Sequence, residues 1–129
     1  MITITPIARA IAKAEADKYP TLTGNGFNYA RFASDGYTEE RQRQDREDLW
    51  SDDGLTQIAY AFHYAKENRI SPKVNSYGVK HAIERWSDDF GEHQYISNGC
   101  AILGLSLAGY EILISEGYPN CYFRVRRQA

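Results

Sequence analysis

The chain has 129 residues, of which 43% are hydrophobic and 25% charged, with a formal net charge of −2. That length suits one domain with a core of its own, and the apolar content argues against disorder along the whole chain. A near-neutral balance gives no global pull toward nucleic acid or anionic lipid, and no apolar run approaches the roughly 18 residues a membrane span needs.

Thr5-Pro6 reads as a helix start, with Thr as cap and Pro at the first helical position. Ile7, Ala8, Ile11, Ala12 and Ala14 then form an apolar stripe, and the helix is expected to stop before Pro20. Gly24-Asn25-Gly26 is turn chemistry, and Asn28–Ala33 is short enough for one or two helical turns. The segment from Asp35 to Asp53 differs in kind. Eight acids (Asp35, Glu39, Glu40, Asp45, Glu47, Asp48, Asp52, Asp53) face three arginines (Arg41, Arg43, Arg46), a surplus of five negative charges. No apolar residue lies between Tyr37 and Leu49. A helix capped by Thr38 would be polar all round, laced by pairs such as Glu39–Arg43, and anchored only at Leu49-Trp50.

Asp53 or Thr56 opens a strongly periodic helix to about Asn68, with Leu55, Ile58, Ala59, Phe62 and Ala65 or Tyr64 on its buried face. Ser76 is read as the cap of the next helix, Tyr77 to about Trp86, which buries Val79, Ala82, Ile83 and Trp86. Ser87–Gln94 is a polar turn. Ser97 or Asn98 then caps an apolar helix, Gly99–Ala108, which Gly109 ends in the left-handed conformation. Gly104 and Gly109 are also read as points where another helix approaches closely. YEILIS, EGYPN and CYFRVRR read as strand, turn and strand, with Phe123 and Val125 alternating with Arg124 and Arg126. Ile2-Thr3-Ile4 offers a third strand. The expected architecture is α+β, mainly α: about five helices packed with a small C-terminal antiparallel hairpin in a single domain, 1–129.

Local catalytic motifs are missing. His63, His81 and His93 include no i, i+4 pair on one helix, Cys100 and Cys121 form no Cys-x-x-Cys, and no glycine-flanked serine or phosphate loop occurs. Asp88, Asp89, Glu92 and His93 lack the spacing of a calcium loop. No catalytic residue, metal or cofactor is therefore assigned. The N-terminus shows no basic leader followed by an apolar run, so a cytoplasmic setting with reduced cysteines is expected. Cys100 reads as core.

Two surface features remain. Tyr37, Glu39, Glu40, Asp45, Glu47, Asp48, Trp50, Asp52 and Asp53 form a candidate binding surface for a basic partner, carboxylates supplying charge and the two aromatics anchors. The second is the alternative: a nucleic-acid site built from Lys73, Lys80, Tyr122, Arg124, Arg126 and Arg127, where cations interleave with aromatics. The state expected is a monomer or small homo-oligomer.

The run Asn75-Ser76-Tyr77-Gly78-Val79-Lys80-His81, followed by Glu84-Arg85-Trp86, Tyr95-Ile96-Ser97-Asn98-Gly99, Ile102, Gly109-Tyr110 and Pro119-Asn120-Cys121-Tyr122-Phe123, resembles small proteins carried by phages, plasmids and other bacterial mobile elements. Those have Leu where Val79 stands, Phe for Tyr110, and a small residue for Cys121. The likeness spans about residues 75–125 and rests on caps, core positions and turns. It implies a shared scaffold and a setting in a bacterial host cell. Short, non-enzymatic anti-defence inhibitors, anti-CRISPR proteins among them, are the function class it implies. The partner would then be a host complex that handles nucleic acid.

Overall fold

The computed structural model describes residues 6–29 and 36–125. In chain order these form α1 (Pro6–Ala16), β1 (Leu22–Thr23), β2 (Gly26–Phe27), α2 (Glu39–Glu47), a 3-10 turn (Asp48–Trp50), α3 (Asp52–Glu67), α4 (Ser76–Asp88), α5 (Asn98–Leu107), β3 (Tyr110–Ile114) and β4 (Cys121–Val125). The fold is α+β and mainly α, as the periodicities predict. The candidate strand Ile2-Thr3-Ile4 and part of the Asn28–Ala33 segment lie outside the described residues. No helix among the described residues is long and apolar enough to cross a membrane.

Helix α5 is the centre of the molecule. Every residue from Asn98 to Ser106 is buried, as expected for a helix that is apolar all round. Helix α3 lays Leu55, Ile58, Ala61 and Ala65 against it, and α4 adds Val79 and Ile83. Phe62 and Trp86, read from sequence as core, are only half-buried. The contact with α3 is close because Gly104 has no side chain: a Cβ there would stand 2.4 Å from Cβ of Ala61 and 2.8 Å from the Ile58 carbonyl oxygen. Gly109 takes no part in such a contact and instead ends α5 with φ +102°.

Strands β3 and β4 pair antiparallel from Tyr110↔Val125 to Ile114↔Cys121. Cys121 and Phe123 enter the core, while Tyr122 and Arg124 face outward. Val125, expected on the buried face, is 56% exposed. A short hairpin at Leu22–Phe27, read from sequence only as a turn, buries Leu22 and Phe27. The Phe27 amide donates to the Pro119 carbonyl at 2.9 Å, tying this hairpin to the C-terminal one.

Two helix caps differ from the sequence reading. Asn75, not Ser76, caps α4 through its side chain, and Ser51 caps α3. Ser76 instead accepts a hydrogen bond from the Cys121 amide at 3.1 Å, joining α4 to β4.

Helix α2 contributes no buried residue, yet it is not weakly held. The Arg46 guanidinium donates to the carbonyls of Ala16, Tyr19 and Leu22 at 2.8–2.9 Å and lies 5.8 Å from the Trp50 ring centre. It thus ties α2 to the end of α1, to the turn that follows it and to β1. Arg46→Ala should therefore cost about 2 kcal/mol in chemical denaturation, and Arg41→Ala, whose side chain is exposed, less than about 0.5. Equal losses would contradict this anchoring role.

Candidate functional site

The acidic segment divides into neutralised and open carboxylates. Arg43 pairs with Glu40 and, at 4.0 Å, with Glu47, rather than with Glu39. Arg41 pairs with Asp45 at 3.3 Å, and Arg9 of α1 pairs with Asp52. Glu39, Asp48 and Asp53 have no ion-pair partner among the described residues. Asp35 lies outside them.

Asp48 and Asp53 open onto one cleft, of about 410 Å³, with Asp45 on its wall. Its acidic side comes from the end of α2, the 3-10 turn and the start of α3. Gly24 and Asn25 of the β1–β2 turn and the stretch containing Tyr95 and Ser97 close the other side. The lining contains no lysine, arginine or histidine. The carboxylates are held in place by neutral donors: Gln44 Nε2 donates to Asp48 at 2.9 Å, and Gln57 Nε2 to Asp53 at 3.0 Å. Gln57 Oε1 in turn accepts from the Ser97 amide at 2.7 Å, so one buried side chain fixes both walls. Neutral donors orient a carboxylate without cancelling its charge. Two negative groups in a concave site focus potential on an incoming cation.

The two aromatics expected as anchors have internal roles. Tyr37 donates from its hydroxyl to Asp45 at 2.7 Å and packs edge-on against Tyr29. Burial, then the hydrogen bond to Asp45, push that hydroxyl up to about 12. Trp50 lies between Lys13 and Arg46, 5.9 and 5.8 Å from the ring centre. The cleft's aromatic is instead Tyr95, which is 58% exposed. Sequence reading placed Asn25 in a turn and Ser97 at a helix cap but assigned neither of them, nor Gln57 or Tyr95, to a site; Tyr95 stands two residues before the Ser97 cap.

Two of the alternative basic residues are paired with carboxylates of the chain. Lys80 is 7% exposed and pairs with Glu84 at 3.3 Å, which removes it from reach of a phosphate. Arg124 makes a bidentate pair with Glu111 across the hairpin. Lys73 lies in the loop before α4, Tyr122 is on the outer face of β4, and Arg126 and Arg127 fall outside the described residues.

Cys100 lines the cleft floor, but burial pushes its thiol up to about 12, and Cys121 is raised in the same way. Protonated, buried thiols are poor nucleophiles. No group of three or more His, Cys, Asp or Glu among the described residues is placed to hold a metal ion. The Asp88–Glu92–His93 turn contains a simple His93–Asp88 contact at 2.7 Å. Comparison with protein-family models, with curated proteins and with solved structures found no match.

Proposed function

We propose that this chain is a non-enzymatic binding protein that docks, through the acidic cleft, on a basic protein surface that normally handles nucleic acid, and inhibits it. The observation that carries this reading is the pair Asp48–Asp53: carboxylates oriented by neutral amides, open to solvent, and facing no cation among the described residues. Charge arranged in this way accelerates encounter with a positive surface and penalises wrong partners. The likeness of about residues 75–125 to proteins of mobile elements supplies the setting, an anti-defence inhibitor of the anti-CRISPR kind acting in a bacterial cell. The internal pairing of Lys80 with Glu84 and of Arg124 with Glu111 favours a protein partner over nucleic acid.

The test is capture of partners from nuclease-treated bacterial lysate by the parent and by Asp48→Lys/Asp53→Lys. Circular dichroism verifies that the variant folds. The parent should retain a basic nucleic-acid-handling complex, and the variant's affinity for it should fall at least about tenfold at low salt. Glu40→Lys, on an already paired carboxylate, should change it little. Undiminished capture by the double variant would remove the cleft from the interface.

A further inference from the structure

A second depression flanks α3 on the side next to the acidic cleft. Tyr60, Trp86 and Phe90 form its floor, and Glu67 and Glu92 stand on its rim in an open groove of about 680 Å³. The rings meet at steep angles. Trp86 and Phe90 are 4.8 Å apart at 75°, and Tyr60 and Trp86 are 6.4 Å apart at 82°. They make an aromatic corner rather than a closed stack. Phe90 is 60% exposed, a large apolar surface left open beside a solvated turn.

We infer that this corner is a docking site for an arginine side chain of the partner. Three observations point to that occupant. Ring faces attract cations, and a planar guanidinium lies flat on one ring while its edge meets the next. Glu67 and Glu92 have no ion-pair partner among the described residues, and the lining holds no lysine or arginine, His63 being its one basic side chain. Those same carboxylates repel phosphate, so stacked nucleic-acid bases are a poor fit despite the aromatics. Continuity is the third argument. Asp53 and Gln57 of α3 line the acidic cleft, Thr56 and Tyr60 line the groove, and Gln94–Ser97 borders both. A cationic segment crossing α3 meets the two in succession.

The inference rests on the proposed basic partner and adds a second contact with its own chemistry. The probe is a hexa-arginine peptide, titrated into the isotope-labelled full chain and followed by amide and indole NMR shifts. A hexathymidylate oligonucleotide serves as the phosphate arm. The Trp86 indole and the Tyr60, Phe90 and Glu92 amides should move with the peptide and stay still with the oligonucleotide. Phe90→Ala and Glu67→Gln/Glu92→Gln, all at exposed positions, should each weaken that response at least about threefold. Stationary Trp86 and Phe90 signals at millimolar peptide would overturn the inference, as would an unchanged response in the variants or an equal response to hexathymidylate. Shifts at Asp48, Asp53 and Tyr95 alone would leave the acidic cleft standing and eliminate the groove. Shifts at the groove alone would do the reverse.

Discussion

Gly104→Val is expected to lower the thermal midpoint by roughly 10 °C. The three atoms nearest the new Cβ all belong to α3: Ala61 Cβ at 2.4 Å, the Ile58 carbonyl oxygen at 2.8 Å and the Phe62 amide nitrogen at 2.9 Å. Two of them are backbone, which cannot turn aside as a long side chain does. Helices α3 and α5 must separate, and with them the layer formed by Ile58, Ala61, Ile102 and Leu105. Overpacking of this kind costs about 3 kcal/mol, and each kcal/mol moves the midpoint of a domain this size by roughly 4 °C. Gly109→Ala is the control. Nothing lies within 4 Å of that position, so only the positive φ is strained, at a cost of about 1 kcal/mol. Thermal denaturation followed by circular dichroism ranks the two. An equal loss would contradict the close packing of α3 on α5.

Glu84→Ala should destabilise the fold by about 3 kcal/mol, because it leaves a buried ammonium without its counter-ion. The carboxylate accepts from the Ile96 amide at 3.0 Å and from Lys80 at 3.3 Å, and it contacts His81 Nδ1 at 3.0 Å. The Lys80 ammonium is otherwise enclosed by ring faces, 5.6 Å from Tyr77 and 4.9 Å from Tyr95. Lys80→Met added to Glu84→Leu should recover much of the loss, since well-packed apolar residues commonly replace a buried pair without penalty. Burial alone would raise the Glu84 pKa. The Ile96 amide, Lys80 and His81 outweigh it and hold the group below its ordinary 4.5. The sign follows: this stabilisation is complete above pH 4.5 and fades as pH falls through the lower folded-state value. The gap between parent and Glu84→Gln in urea should therefore narrow under acid. A gap that widens there would contradict the assignment. The consequence reaches function, because the Ile96 tether fixes the Tyr95–Ser97 stretch that forms one wall of the acidic cleft.

The helices were legible because their signals are local. Leu55, Ile58 and Ala65 recur at helical spacing, Thr38 and Ser97 are capping residues, and Gly109 ends an apolar run. What stayed hidden depends on partners distant in sequence. Ser76 and Asn75 are both good caps, and the Cys121 amide, 45 residues away, takes up the Ser76 hydroxyl. Arg46 looks like one more charge in a solvated helix, yet it binds carbonyls 24 to 30 residues earlier.

The same holds for the candidate sites. The carboxylate surplus was visible in the sequence, but it is the partners that select Asp48 and Asp53: Arg9, Arg41 and Arg43 neutralise their neighbours. The far wall, from Gly24-Asn25 to Tyr95 and Ser97, converges only in three dimensions. The aromatic groove left a faint trace. Tyr60 sits off the buried stripe of α3, and Phe90 interrupts a polar turn.

Carboxylate footprinting of the captured complex decides whether the acidic cleft is the interface. Exposed acids of the free and the partner-bound chain are labelled with carbodiimide and glycine ethyl ester, then read by mass spectrometry. Asp48 and Asp53 should lose labelling on binding while Glu111 and Glu116 on the hairpin should not. Equal labelling of Asp48 and Asp53 in both states, with protection moved to the hairpin, would contradict this.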